Sequence, residues 1–203
     1  MRDAQATRRR LLDAAAAEFA AHGIAGARVD RISADARVNK AQMYAYYGNK
    51  DGLFDAVFED HVEQIVHAVP MTAEDLPGYA TRLYDACLAR PELVRLAAWA
   101  RLERVPTGPL VTGTDARSAH KLAAIAAAQR SGHIDPSLDA ADVLSIVTAM
   151  ALTWSPAGLI HAAAPDEPES EHEGRRRALA RTVRRAFAPE PEPEPGTPAR
   201  PAP

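Results

Sequence analysis

Two adjacent helical patterns between residues 29 and 47 constrain this chain more than any other feature of its sequence. The apolar spacing predicts one helix from Val29 to Ala36 and a second from Lys40 to Tyr47. Helices of about two turns are not stable in water unless they pack against neighbours. Because only residues 37 to 39 separate them, the pattern predicts two short helices joined by a tight turn.

The start of the second short helix is well marked. Asn39 is a good N-cap, since its side chain can accept a hydrogen bond from the backbone of the first turn. Gln42 lies where its amide can either close a capping box or contact a base edge, and one amide cannot do both at once. Val38 and Met43 fit a hydrophobic staple around the cap, and Gly48 ends the helix.

A longer helix is predicted on each side of this pair. The first covers about residues 7 to 22 and ends at Gly23, and the other begins after the N-cap Asn49. The predicted buried face of the first helix consists of Leu12, Ala15, Ala16 and Phe19. A longer helix, two short helices at a tight turn and a following helix together describe a helix-turn-helix.

The outward side of the second short helix is suited to the major groove of DNA. This side is predicted to carry Lys40, Ala41, Gln42, Tyr44, Ala45 and Tyr46. A helix in the groove needs small residues where backbones approach and hydrogen-bond donors where base edges lie. Residues 1–50 hold nine Lys/Arg and five Asp/Glu, whereas residues 51–203 hold fifteen and twenty-two, so the basic charge is concentrated near this helix.

Residues of about 7 to 55 resemble the DNA-binding domain of the tetracycline-repressor (TetR) family. The match runs without a gap through Leu12, Ala15, Phe19, Gly23, Val29, Ile32, Ala36, Val38, Lys40, Met43, Tyr44, Tyr47, Lys50 and Leu53. The family's aromatic pair and following Lys-acid step are matched by Tyr44, Tyr47 and Lys50-Asp51. Two positions depart from the family: Arg37 stands where the turn usually has Gly, and Ala27 where a Thr commonly caps the second helix.

The resemblance and side-chain chemistry together assign DNA contacts. The predicted DNA-binding residues are Arg28, Lys40, Ala41, Gln42, Tyr44, Tyr46 and Lys50. Gln42 is suited to an adenine edge, while Arg28, Lys40, Lys50 and the Tyr44 hydroxyl are suited to phosphates. The basic run Arg8, Arg9 and Arg10 is expected either to extend into a flanking groove or to form a solvated end.

The resemblance also implies the architecture of the whole chain. We predict an all-α protein with a three-helix DNA-binding domain at residues 1–50 and a helical ligand-binding and dimerisation domain at residues 51–188. A disordered Pro/Glu-rich tail is predicted at residues 189–203. Helices near residues 139–154 and 174–187 are expected to form a homodimer, with an acidic linker at residues 165–173. A two-fold dimer would read a palindromic operator.

A small, mostly hydrophobic effector is expected to release such a repressor from DNA. The candidate ligand-binding residues are Tyr84, Cys87, Trp99, Leu102, Met150 and Trp154, although large residues at helical spacing are also ordinary core. The alternative is a helical small-molecule-binding or interaction module without specific DNA binding. A titration against duplex DNA at two salt concentrations separates the two hypotheses.

Other classes of protein find little support in the sequence. The seven His residues show no metal-binding spacing, and there is no phosphate loop or nucleophile elbow, so neither an enzyme nor a cofactor is predicted. The single Cys87 cannot form an internal disulfide. With no secretory signal and no apolar run long enough for a membrane span, the expected location is the cytoplasm.

Overall fold

The computed structural model describes residues 2–108, 110 and 115–189, and all regular structure within these ranges is helical. The α-helices are α1 (Arg2–Gly26), α2 (Val29–Ala36), α3 (Lys40–Tyr47), α4 (Lys50–Ala68), α5 (Leu76–Ala89), α6 (Pro91–Glu103), α7 (Asp115–Arg130), α8 (Ala140–Ala151) and α9 (Glu169–Phe187). The predicted all-α class is therefore confirmed, and the bounds predicted for α2 and α3 are those observed. None of these helices is long and apolar enough to span a bilayer. The predicted tail lies outside the described residues from position 190 onward.

Helix α1 consists of two helical segments that meet at Gly23. The backbone there has φ 74° and ψ 178°, a conformation that favours glycine, so the predicted helix break is confirmed. A further turn extends to Gly26. The buried face is shifted from the predicted one, because Leu11 is fully buried whereas Leu12 is only half-buried.

Two apolar clusters hold the described helices together. The first cluster joins α1–α4 to α6, and its largest members are Leu11, Phe19, Ile32, Met43, Leu53, Phe54 and Leu96. The second cluster is built mainly from α5, α7, α8 and α9, and includes Tyr79, Ile125, Ile134, Val143, Val147, Leu179 and Phe187. Helix α4 belongs to both, because Phe54 and Val57 are buried in the first cluster and Ile65 packs against the second.

The two C-terminal helices differ from the predicted ones. Helix α8 ends at Ala151, so Trp154 lies beyond it rather than within it. Helix α9 begins at Glu169, which makes the predicted linker at residues 165–173 wrong in its second half. The early start has an electrostatic reason, since Glu169 and Glu171 occupy the first turn, where the helix dipole favours negative charge.

The turn between α2 and α3 depends on Arg37. This residue adopts the left-handed conformation, with φ 55° and ψ 47°, and is the only non-glycine residue with a positive φ in the described ranges. Its N–H donates to the carbonyl of Ala34, which satisfies the end of α2. A side chain in this conformation costs roughly 1 kcal/mol, which explains why the family usually has glycine here.

We expect Arg37→Gly to raise the free energy of unfolding by up to about 1 kcal/mol, because glycine adopts a positive φ without steric cost. Chemical denaturation followed by circular dichroism measures the change. Arg37→Ala is the matched control, since it removes the charge and keeps the Cβ atom. An equal gain in both variants would assign the effect to charge and contradict the explanation by backbone strain.

Candidate nucleic-acid interface

One side of α3 faces solvent, and the other side packs against the first apolar cluster. Met43 is fully buried in the first apolar cluster. The exposed residues of the helix are Lys40, Ala41, Gln42, Tyr44 and Ala45, while Tyr46 is half-buried. The arrangement places small and polar side chains on an open helical surface, as entry into a major groove requires.

Only half of the expected capping box forms at the start of α3. Asn39 Oδ1 accepts a hydrogen bond from the Gln42 backbone N–H, with an N···O distance of 2.8 Å. The Gln42 side-chain amide has no hydrogen-bond partner within the described part of the chain. That amide is therefore available for a base edge, which removes the competition expected from the sequence.

The three cations expected to contact phosphates differ in their protein partners. Lys40 forms an ion pair with Asp30 on α2. Lys50 Nζ donates to two backbone carbonyls near the end of α1, at 3.0 and 3.3 Å. The Arg28 guanidinium is exposed and has no partner among the residues that the structure describes. Arg28 is thus the cation best placed to meet a phosphate without breaking an existing contact.

The N-terminal arginines lie within α1 and contact the protein itself. The Arg8 guanidinium lies 5.8 Å from the ring centroid of Tyr46, within the range of a cation–π contact. Arg9 forms an ion pair with Asp60 on α4 at 3.1 Å. Arg10 Nε donates to the carbonyl of the last residue of α2 at 3.2 Å. All three arginines remain exposed to solvent, so both predicted roles, a groove-binding arm and a solvated end, stay predictions.

The start of α2 is held by a side chain from another helix. The N-cap, Arg28, makes no side-chain capping bond, and instead its N–H donates to Glu18 Oε1 at 2.8 Å. Glu18 is only 7% exposed and also accepts hydrogen bonds from Arg31 Nε, at 2.9 and 3.0 Å. The bonds from Arg31 hold the pKa of Glu18 below its ordinary value. Glu18 therefore holds the start of α2 from α1, in the absence of the N-cap bond that a Thr would commonly provide.

Helix α6 is joined to the broken part of α1. Glu103 accepts hydrogen bonds from the backbone N–H groups of Ile24 and Ala25, at 3.2 and 2.7 Å. Trp99 Nε1 donates to the carbonyl of Ala20 at 3.3 Å. A Cβ atom at Gly23 would lie 2.5 Å from Glu103 Oε1. The positive φ at position 23 requires glycine, and the Glu103 side chain occupies the space where a Cβ atom would lie.

An apolar cavity of about 230 Å³ lies between α4, α5, α6, α7 and α8. Its walls include Val66, Leu83, Cys87, Val94, Lys121 and Leu152. Burial raises the pKa of the Cys87 thiol to about 11, so this thiol is neutral at physiological pH. A cavity with mostly apolar walls and few polar groups is typical of small-molecule sites.

Comparison with known proteins shows which family this chain belongs to. Residues 11–57 match the model for bacterial regulatory proteins of the tetR family, and residues 75–185 match the tetracyclin repressor-like C-terminal domain. The HTH-type transcriptional repressor SCO4008 of Streptomyces coelicolor is 44% identical over 156 residues, which cover 76% of this chain and 80% of that protein. The chain belongs to the TetR family. The resemblance found in the sequence is confirmed, and the protein is a DNA-binding transcriptional regulator.

Solved structures agree with the assignment to the TetR family. The transcriptional regulator SCO4942 from Streptomyces coelicolor is 40% identical, with a TM-score of 0.75 over 89% of this chain and 98% of that one. AibR, solved in complex with isovaleryl coenzyme A and operator DNA, is 17% identical, with a TM-score of 0.62 over 87% of this chain and 97% of that one. The likeness to AibR is one of fold.

The structure of this TetR-family regulator does not bring the six predicted ligand-binding residues together. Cys87 lines the apolar cavity. Tyr84 and Trp154 line a second pocket of only about 10 Å³, room for about one water, and Cys87 borders this pocket as well. Their rings pack edge to face at 5.9 Å, and the Tyr84 hydroxyl lies 2.7 Å from Nδ1 of the buried His172. Both rings are therefore committed to contacts within the protein.

The other three predicted residues lie away from the cavity wall. Trp99 belongs to the contact between α6 and α1. Leu102 is 74% exposed, and Met150 packs against the second apolar cluster. Helical periodicity identified apolar positions, but it does not indicate which helices meet around a cavity. The wall residues on α4 were missed for this reason, although the apolar spacing of that helix was visible in the sequence.

We expect Glu18→Gln to lower the free energy of unfolding at neutral pH by about 1–3 kcal/mol, because the charge-assisted bonds to Arg31 are lost. Denaturation as a function of pH measures the difference. Because folding lowers the pKa of Glu18, its charge stabilises the fold above the ordinary carboxyl pKa, and the contribution disappears as pH falls through the lowered value.

The difference between wild type and Glu18→Gln should therefore shrink in acid. A difference that is the same at neutral and acidic pH would assign the loss to packing and contradict the role of the Glu18 charge.

Proposed function

We propose that this TetR-family protein is a repressor that binds a palindromic operator as a homodimer and is released by a small, mostly hydrophobic ligand in the apolar cavity. The observation that carries the proposal is the path of α4. Its first half buries Phe54 and Val57 beside the helix-turn-helix, and its second half supplies Ile65 and Val66 to the cavity wall. One helix thus belongs both to the DNA-binding end and to the cavity. The proposal places the protein in the cytoplasm and includes no cofactor.

Ligand binding acts on the operator complex through this shared helix. A ligand that fills the cavity contacts Ile65 and Val66 and stabilises one position of α4. Release from DNA follows only if the ligand binds this state better than the operator-bound state. Two recognition helices related by a two-fold axis must match half-sites about 34 Å apart, so a change in α4 weakens both contacts together.

We assign the dimer contact to α8 and α9. Ile146 on α8 is 44% exposed, and Leu144 and Met150 on the same helix are half-buried. Leu159 and Ile160, between the two helices, are 98% and 99% exposed. Exposed apolar side chains of this size favour a surface that a second copy covers. Two helices from each copy would form a four-helix interface.

In the operator complex we place α3 in the major groove, with Gln42 at a base edge and Tyr44 and Tyr46 at the backbone or bases. Arg28 and Lys40 are assigned to phosphates. Lys50 keeps the same assignment, but its amine would have to leave two backbone carbonyls or reach the phosphate while bound to them. We therefore expect Lys50 to contribute to stability as well as to DNA affinity.

Selection of bound sequences from random duplex DNA tests the operator contacts. We expect a two-fold symmetric site, because a homodimer presents two equal recognition helices. Gln42→Ala should relax the preference at one position in each half-site, with a loss of about 1–3 kcal/mol in discrimination. Arg28→Ala is the matched control, because Arg28 is assigned to a phosphate and not to a base. It should weaken binding to all sequences alike and reduce the salt dependence of the affinity.

An asymmetric selected site would contradict the homodimer. Failure to enrich any sequence at both about 50 mM and about 200 mM salt would instead support the module without specific DNA binding.

The neutral apolar dye N-phenyl-1-naphthylamine tests the cavity. We expect Val66→Phe to lower dye affinity by about tenfold or more, because the larger side chain occupies space in the cavity. The control His67→Phe adds the same ring at the neighbouring exposed position of α4 and should leave dye binding unchanged. Fluorescence titration measures dye binding, and anisotropy of a labelled operator measures release. Equal dye affinity in the two variants would place the dye site elsewhere.

A further inference from the structure

Lys121 is the only charged residue in the wall of the apolar cavity among the residues described. It lies on α7 and is half-buried, and every other wall residue is uncharged. Its ammonium group forms no hydrogen bond or ion pair with any described residue. A mostly apolar chamber is thus left with one cation and no protein anion to balance it.

The surroundings of Lys121 do not compensate its charge. Burial lowers the pKa of Lys121 from its ordinary value, because an ammonium ion loses hydration next to apolar walls. Thr148 also lines the cavity, but its hydroxyl already donates to the carbonyl of Leu144 at 2.8 Å. Burial raises the pKa of Tyr79, a further wall residue, so its hydroxyl stays neutral. A charge in such surroundings is stabilised by an opposite charge that comes with it.

We infer that the effector is an amphiphile with an apolar body and one carboxylate, and that the carboxylate pairs with Lys121. This inference rests on the proposed function of the cavity. The apolar body lies against side chains such as Val66, Leu83 and Val94, and the carboxylate accepts hydrogen bonds from the ammonium group. A neutral ligand of the same shape leaves Lys121 unpaired, and a cationic one is repelled.

Three ligands of equal chain length test the charge preference: decanoate, decanol and decylamine. Isothermal titration calorimetry on the full chain, below the concentrations at which they form micelles, gives the affinities. We expect decanoate to bind at least about tenfold more tightly than decanol, and decylamine to bind most weakly. Lys121→Met should remove the preference for decanoate and keep decanol binding, and Lys121→Glu should move the preference to decylamine. Arg130→Met, which removes an exposed charge from the same helix, is the control and should keep the wild-type order.

The outcomes separate this inference from the proposed function. Equal binding of decanoate and decanol to wild type, or a decanoate preference that survives in Lys121→Met, overturns the role of Lys121 and leaves the cavity as a binding site. The same holds if the neutral dye binds and decanoate does not. If neither the dye nor any of the three ligands binds, the proposed function of the cavity fails, and the inference fails with it.

Discussion

The helix-turn-helix depends on the hydrogen bonds that the carboxylate of Glu18 accepts. Helix α2 has no capping side chain of its own, and the N–H of its N-cap residue, Arg28, is satisfied by an acceptor on α1. The same carboxylate binds Arg31, one turn further along α2, so both the start and the rotation of this helix are set from α1. Helix α3 follows after a turn of three residues, buries Met43 and packs Tyr46 and Tyr47 against the first apolar cluster. Its outward side therefore takes its direction from the position of α2 as well as from this packing.

The DNA-binding end is tied to the rest of the molecule at two places. Glu103 and Trp99 on α6 satisfy backbone groups at the break in α1, where the positive φ requires Gly23. Helix α4 forms the second connection, since its residues are shared between the two apolar clusters. The first connection holds α1 firmly against α6, whereas the second passes beside an empty space that a ligand can fill. In the proposed mechanism, this difference makes α4 the helix that responds to a ligand in the cavity.

The features that were predicted correctly from the sequence are those set by neighbouring residues along the chain, such as helix caps and turns. Asn39 and Gly48 are strong start and stop signals, and the bounds of α3 matched them. Arg37 was correctly placed in a turn that favours glycine. The bonds from Glu18 to Arg28 and Arg31 and the residues of the cavity wall escaped prediction, because both depend on which helices meet in space. Helix α9 begins earlier than the sequence predicts, because an acidic segment is compatible with the first turn of a helix as well as with a linker.

Because α4 is long, a small movement at the cavity would produce a larger displacement at its DNA-binding end. A helix of 19 residues is about 28 Å long, and no proline interrupts this one. If it pivots as a rod, a tilt of about 5° displaces its far end by about 2.5 Å. That distance is far larger than the few tenths of an ångström over which a hydrogen bond keeps its strength. Under the proposed mechanism, leverage of this kind would let a molecule no bigger than a short acyl chain dislodge the protein from a duplex, with no flexible joint in between.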